Sequence, residues 1–329
     1  MKKVYIKDFS IYMPDNFETS MDIARYSGLP IDVVEEKLGI RRKPVENKLS
    51  LSEMSVKSIK DLLERTSMVP EEISFLMCAG SDFKDRYIWT MAPKIAHSVG
   101  LRDAMTFDMS AQCTGSLVAM DVAKSMILAG RDKRGLISVS TKQSYIVDYS
   151  NRASTFMFDF SDCSVAILLD SSPGKFEVLE SSFVTDGSFS DVVYSPFGES
   201  YMSSKDEWSF RLRVNEIEGW RERMGKASKL NFVKVIRESL KKSGLKTEDI
   251  SYLAFLHTKK SFHSEILAEF NLDMKQSIYL DNYGHAQGVD PFLSLSLAVR
   301  AKTVKSGDII VLVSAGTGWI WGSTVLKAV

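Results

Sequence analysis

The sequence carries few of the residues that usually advertise a function. Only three cysteines, Cys78, Cys113 and Cys163, stand in 329 residues, and no two have a paired spacing. That argues against a disulfide framework and for a reducing compartment, so the expected location is the cytoplasm. Neither sign of charge is in excess, since 42 Lys and Arg meet 42 Asp and Glu. No global field therefore favours nucleic acid or a membrane surface, and any electrostatic recognition must be local. No apolar run is long enough to span a bilayer, and the opening Met-Lys-Lys-Val-Tyr-Ile-Lys-Asp has no apolar core of signal-peptide length. Histidine occurs four times, and neither C-x-x-C nor H-x-x-x-H appears. A zinc site of one Cys and two His thus lacks its usual short ligand spacing.

What the chain does have is ordinary globular material, 44% hydrophobic and 26% charged, enough for one large core or two fused ones. It is organised around residues 104–128. The stretch begins with β-compatible alternation and ends in a long apolar helix rich in Ala, Met and Val. Between the two sits Cys113, among Ser110, Ala111, Thr114, Gly115 and Ser116. Small residues permit a sharp turn from strand to helix and a close approach by a substrate. A thiol there would meet the unpaired N–H groups of a helix N-terminus, which favour thiolate. Cysteine is also a small apolar residue that buries well, so the thiol alone decides nothing.

Strands alternate with helices along the chain, which predicts an α/β protein with a largely parallel sheet. Strands are expected at 2–13, 73–80 and 135–141, and helices at 22–38, 51–68 and 92–99. Residues 154–170 read as mostly strand. The second half repeats this order. Glu72-Ile-Ser-Phe-Leu76 has a near copy in Asp249-Ile-Ser-Tyr-Leu253, each after an amphipathic helix. Asp108 and Asp281 each open a strand–turn–helix unit and stand 28 positions before the strand starts Leu136 and Ile309. The turn holds Cys113 in one copy and His285 in the other. Two similar α/β halves packed together follow from such a duplication. The expected domains are 1–170 with the cysteine, a connecting cover 171–230 over a substrate channel, and 231–329 with two histidines.

His97 and His263 fall on helices and read as structural or surface residues. His257 ends the strand Tyr252-Leu-Ala-Phe-Leu256, where active-site groups of parallel sheets collect. His285 lies in Asp281-Asn-Tyr-Gly-His-Ala-Gln-Gly288. If the halves fold alike, Cys113, His257 and His285 meet at the crevice between them. A thiol and two imidazoles there would supply a nucleophile and donors to a carbonyl oxygen.

These residues resemble the thiolase-fold condensing enzymes, specifically the β-ketoacyl-acyl carrier protein synthase III branch, over almost the full length. The resemblance rests on Lys37-Leu-Gly-Ile-Arg41, Asp108-Met-Ser-Ala-Gln-Cys-Thr-Gly-Ser116, Phe160-Ser-Asp-Cys-Ser-Val-Ala166 and Ser314-Ala-Gly-Thr-Gly-Trp-Ile-Trp-Gly-Ser323. It implies a thiolase fold, two duplicated halves in a layered αβαβα core. It further implies an acyl thioester on Cys113, and an oxyanion hole from the Cys113 N–H and the Gly316-Thr317-Gly318 loop. His257 would take the family's histidine position. No cofactor is implied beyond thioesters of carrier protein or coenzyme A. The implied partners are acyl carrier protein and a second copy in a homodimer, with residues 104–128 suiting the interface.

Three departures from the family pattern stand out. His285 replaces the asparagine that, with histidine, holds the malonyl thioester carbonyl while CO2 leaves. Related elongating synthases use two histidines, which preserves condensation. Some relatives changed at this place instead pass the acyl group to a hydroxyl or amine, and His285 would then be a base oriented by Asp290. Val33 stands where primer-using members stack coenzyme A on tryptophan, which favours carrier-protein thioesters, while Lys37 and Arg152 keep basic positions at the tunnel mouth. The terminal loop has no second cysteine, against thiolase activity. A basic patch for the carrier is expected among Arg41, Arg42, Lys259, Lys260, Arg211 and Arg213. Met105, Met109, Phe156, Phe158 and Tyr87 are candidates for the acyl pocket. Decarboxylative Claisen condensation is the expected reaction, in fatty-acid or specialised metabolism. Acyl transfer to an O or N acceptor, and a non-catalytic ketosynthase partner subunit, are the alternatives.

Overall fold

The computed structural model describes residues 2–80, 83–130, 132–195, 211–215 and 217–329. Nine strands form its main sheet: β1 (Tyr5–Tyr12), β2 (Phe75–Gly80), β3 (Met105–Ser110), β4 (Arg134–Lys142), β5 (Asp162–Asp170), β6 (Phe176–Thr185), β7 (Ile250–Phe255), β8 (Ile309–Gly316) and β9 (Ile320–Ala328). Seven α-helices accompany them among the described residues: α1 (Ser20–Ser27), α2 (Leu51–Thr66), α3 (Met91–Val99), α4 (Gly115–Leu128), α5 (Trp220–Lys242), α6 (Lys260–Ala268) and α7 (Asp290–Arg300).

The strand order is β7-β8-β9-β6-β1-β5-β4-β2-β3. Within it the expected duplication is visible as two runs of the same pattern. β2 pairs parallel with β4, which pairs antiparallel with β5, which pairs with β1; likewise β7 pairs parallel with β8, then antiparallel β9, then β6. In the sheet the two runs join where Tyr5 and Ile6 face Glu177 and Phe176. Each strand divides its side chains between two layers, as period-2 alternation requires. Phe75, Met77, Ile137, Val139, Tyr252, Ala254, Ile310 and Leu312 point inward to a core shared with Leu117, Met120 and Ala123 of α4 and Phe292 and Leu295 of α7. Leu76, Cys78 and Leu136 face α2 and α3, whereas Leu253, Phe255, Val311 and Val313 face α5 and α6. Helix, sheet, central helices, sheet and helix thus form five layers. The apolar character of α4 all round follows from its place between two sheets.

Several expectations shift. Helix 22–38 breaks at Leu29-Pro30 into α1 and a short helix at Val33–Leu38, closed by Gly39 at φ 77°. Residues 154–170 are only partly strand, since Arg152–Met157 is a 3-10 helix before β5. In the stretch read as a cover, Phe176–Thr185 is instead β6, an inner strand bonded to β9. The remainder of that cover includes 196–210, with Phe197, Gly198 and Trp208, which lie outside the described residues.

Phe292 joins the halves physically. It is fully buried on α7 and meets Phe9 of β1 edge-to-face, with 5.4 Å between centroids. Truncation to alanine leaves a cavity that neither sheet can collapse around. Phe292→Ala is expected to lower stability by about 3–5 kcal/mol in reversible urea unfolding; a loss under 1 kcal/mol would mean that the central layer is loosely packed.

Candidate active site

Cys113 lies in a single 3-10 turn, Gln112–Thr114, between β3 and α4. Three contacts hold the turn. Ser314 Oγ donates to the Cys113 carbonyl at 2.6 Å, Thr114 Oγ1 donates to the Ile320 carbonyl at 3.0 Å, and Gln112 takes the left-handed φ of 49° that aims the next residue out of the sheet. Gly115 must be small, because a Cβ there would lie 2.6 Å from the Gly80 nitrogen. Gly316 must be small for a reason that bears on chemistry: a Cβ would come within 3.0 Å of the Cys113 nitrogen and fill the space beside that N–H. Thr317 and Gly318 line the cavity next to it. The Gly316–Gly318 loop therefore stands against the cysteine backbone, where an oxyanion hole needs its donors.

The second copy of this turn is Gln287–Val289, and Gln287 has the matching φ of 56°. The repeated Ala-Gln of Ala111-Gln112 and Ala286-Gln287 places Gly288, not His285, in register with Cys113. His285 reaches the sulfur from three residues before that position. Its Nε2 lies 3.3 Å from Cys113 Sγ, and its Nδ1 lies 2.6 Å from Asp290 Oδ2. Burial opposes charge on this imidazole, but the Asp290 carboxylate and Cys113 outweigh it and hold His285 well above the ordinary histidine range. As an imidazolium it donates from both nitrogens, to the carboxylate and to the sulfur. Asp290 is fully buried and also accepts from the backbone N–H of Ala286 at 2.7 Å and of His257 at 2.8 Å.

His257 follows β7 and is buried, its ring 5.0 Å from that of Tyr279. Burial, reinforced by the charge of His285, pushes it down to about 3, so it is neutral at physiological pH. Neither ring nitrogen has a hydrogen-bond partner among the described residues. Such a group is free to serve a ligand. Among the described residues no three His, Cys, Asp or Glu side chains converge as a metal site.

Two cavities meet at Cys113. One, ≈ 380 Å³, is lined by Phe83, Tyr87, Ile146, Phe160, Val193 and Leu212 and is largely apolar. The other, ≈ 240 Å³ and called the polar cavity for its ionisable groups, sets Asp159, His257, His285 and Lys259 in a wall otherwise made by Leu38, Phe156, Phe232, Phe262 and Trp319. The two are told apart by these groups, since both walls are mostly apolar. Of the candidate pocket residues, Tyr87 lines the apolar cavity and Phe156 the polar one. Phe158 is packed in the core, and Met105 is exposed on β3 instead of facing either cavity.

The basic candidates divide. Lys259 reaches the polar cavity, and Lys37, Lys260 and Arg152 are exposed with no ion-pair partner among the described residues. Arg41 is committed to Asp281 at 3.1 Å and Arg211 approaches Asp148 at 3.5 Å. Arg42 lies over the Phe17 ring. Lys43, which ends the basic run, is wholly buried and donates to the Phe160 carbonyl at 2.6 Å. His263 is also buried, its Nε2 2.7 Å from Ser277 Oγ, while His97 is exposed on α3.

Sequence reasoning missed Asp159. It is 8% exposed, its Oδ2 lies 3.7 Å from His257 Nε2, and its Oδ1 has no partner among the described residues. Burial pushes this carboxyl up to about 7, against the opposing pull of His285 and Lys43. Nothing in the local sequence distinguishes it from an alternating strand position.

Two family models match the chain: 3-Oxoacyl-[acyl-carrier-protein (ACP)] synthase III over residues 107–187, and 3-Oxoacyl-[acyl-carrier-protein (ACP)] synthase III C terminal over 240–328. The chain is 24% identical to a β-ketoacyl-[acyl-carrier-protein] synthase III of Aquifex aeolicus (strain VF5), covering 96% of this chain and 97% of the relative. It is 26% identical to the protein of that name in Clostridium acetobutylicum, covering 99% of both. The crystal structure of 3-oxoacyl-[acyl-carrier-protein] synthase III from Aquifex aeolicus VF5 superposes with a TM-score of 0.87 at 21% identity, over 98% of this chain and 99% of that one. The fold is therefore the thiolase fold of those enzymes.

The Cys113–His285–Asp290 chain carries a test of its own. Asp290→Asn removes the charge that sustains the His285 imidazolium, and with it the charge-assisted contact to the Cys113 sulfur. Alkylation of Cys113 by iodoacetamide at pH 7 is expected to slow about tenfold, the weight of one hydrogen bond to a charged group; an unchanged rate would show that Asp290 does not set the charge on His285.

Proposed function

The chain belongs to the 3-oxoacyl-[acyl-carrier-protein] synthase III family, and on that premise we propose that it condenses an acyl group carried on Cys113 with malonyl-acyl carrier protein. The observation that carries this reading is a sulfur 3.3 Å from an imidazolium, where a cavity lined by Phe83, Ile146 and Val193 meets one that holds His257 and His285.

In the first half-reaction Cys113 attacks an acyl thioester, the donor's C–S bond breaks as the bond to Cys113 forms, and the donor leaves as its thiol, taking a proton from solvent. The His285 imidazolium stabilises the thiolate, and the N–H of Cys113 with the Gly316–Gly318 loop faces the developing oxyanion. The acyl chain then lies in the apolar cavity. In the second, malonyl thioester enters the polar cavity, where neutral His257 and His285 donate to its carbonyl as CO2 leaves. The enolate carbon attacks the acyl carbonyl, the C–S bond to Cys113 breaks, and a β-ketoacyl thioester departs. No cofactor is required by these steps.

Carrier docking is assigned to the mouth of the polar cavity. Lys259 and Lys260, with Lys37 and Arg152 nearby in sequence to the lining residues Leu38 and Phe156, offer positive charge to an acidic carrier surface. A second copy is assigned to β3, which ends the sheet order among the described residues. The reading places the protein in the cytoplasm, consistent with three free, buried cysteines. No helix among the described residues is long and apolar enough to cross a membrane. The duplicated halves fit a division near residue 170, with β6 assigned to the second half.

The test combines intact-mass detection of acylated Cys113 with release of labelled CO2 from malonyl-carrier protein. Cys113→Ala is expected to show no acyl adduct. His257→Ala is expected to form the adduct but release CO2 about 10²–10³-fold more slowly, the usual effect of losing one oxyanion donor. An adduct that forms in the wild type without ever triggering decarboxylation would overturn the condensation reading, and no adduct at all would favour a non-catalytic subunit.

A further inference from the structure

Asp159 has no role in the condensation just described. A malonyl nucleophile draws its electron pair from the breaking bond to CO2 and releases no proton, so it needs no base. An ionised carboxylate beside it would repel its own carboxylate. Yet Asp159 lines the polar cavity with Cys113, His257 and His285, and its placement is rigid. Its backbone carbonyl accepts the His285 N–H at 2.9 Å, and the Ser161 N–H two residues on donates back to the His285 carbonyl at 3.0 Å. Gly284 presses so close that a Cβ there would lie 2.2 Å from the same carbonyl oxygen. The chain has built a buried carboxylate into its acceptor cavity and left one oxygen without a donor.

We propose that Asp159 is the base that accepts a proton from an O–H or N–H nucleophile, so that the site also discharges acyl-Cys113 onto hydroxyl or amine acceptors. This rests on the acyl-Cys113 intermediate but not on the condensation step. The acceptor oxygen or nitrogen attacks the acyl carbonyl. A C–O or C–N bond forms as the C–S bond breaks, and the acceptor proton passes to the Asp159 carboxylate. The electron pair of the broken bond stays on the Cys113 sulfur, facing the His285 imidazolium. Asp159 then returns its proton to solvent. Neutral His257, 3.7 Å away, completes the polar wall without competing for the proton.

The charged and titratable groups around Asp159 define its pH response. Lys43 and His285 favour the carboxylate, Asp290 opposes it, Tyr279 and His257 are neutral neighbours, and Lys259 lines the same cavity. With the carboxyl near 7, the base form gains through neutral pH, and the discharge rate rises with it.

The experiment pre-forms acyl-Cys113 from a panel of acetyl to octanoyl coenzyme A thioesters, removes excess donor, and follows its loss to water and to methanol by intact mass and ester detection. Starting from the acyl-enzyme removes any effect on acylation. Neither nucleophile titrates across the range used, so a limb in the pH profile belongs to the protein. The wild type is expected to discharge faster as pH rises through 7. Asp159→Asn is expected to be about a hundredfold slower, the ordinary contribution of a general base, and to lose that limb. Asp159→Glu, which keeps a carboxylate, is expected to restore part of the rate and the limb. Discharge by Asp159→Asn at the wild-type rate with the same profile would overturn the proposal, as would Asn and Glu variants equally slow with the limb intact. Failure of the wild type to acylate from any thioester would instead overturn the acyl-Cys113 reading itself.

Discussion

The site depends on one buried carboxylate. Asp290, at the first position of α7, receives three N–H groups: the backbone of Ala286, the backbone of His257 and the ring of His285. A carboxylate removed from water is costly unless its lone pairs are filled and a cation faces it. Here both conditions are met by the groups that the chemistry needs. Filling the carboxylate fixes the chain leaving β7 at His257, the turn before α7, and the tilt and charge of the His285 ring. The same ring nitrogen network then ends on Cys113. One residue thus ties the second half's contributions into a single unit and presents them to the nucleophile of the first half.

That unit can meet Cys113 because the fold is a duplication. In the first half the turn at Gln112 follows β3, which pairs parallel with β2, and in the second the turn at Gln287 precedes α7; both glutamines take a left-handed φ. The two turns pack against each other with Gly288 against the Cys113 carbonyl, where a Cβ would stand at 3.3 Å. One copy carries Cys113, and the other has glycine at that position and supplies an imidazole from three residues earlier. Pseudo-symmetry has been used to build an asymmetric site. The cavities follow from it, an apolar one toward Ile146 and Val193 and a polar one toward Lys259.

The polar cavity holds more ionisable chemistry than condensation uses. His285 is held charged and His257 is held neutral, while Asp159 is poised near neutrality. Separating the proton affinities of neighbouring groups is how a protein assigns acid and base roles within a small volume. The three arise from different causes: a filled carboxylate for His285, burial for His257, and burial partly offset by Lys43 and His285 for Asp159. Lys43 holds the Phe160 carbonyl, and its charge reaches Asp159 through a low-dielectric interior.

Much of this was legible in the sequence, because it was written in local pattern. The alternation of strand and helix, the copied Ile-Ser-aromatic-Leu motifs, the small residues around Cys113 and the histidine ending β7 all act over a few residues, where period and chirality govern. The family motifs added the expectation of an oxyanion loop at Gly316–Gly318 and of acyl-thioester chemistry. Tertiary structure alone decided the rest. It buried Lys43 although its two neighbours, Arg41 and Arg42, are exposed, and it committed Arg41 to Asp281. It also made residues 176–185 an inner strand and turned the carboxylate of Asp159, one acidic residue in an alternating stretch, toward His257. A residue's burial, its partners and its protonation are set by atoms far away in the chain, and no local period encodes them. The sequence determined which groups were available; packing the halves together decided which of them carry charge.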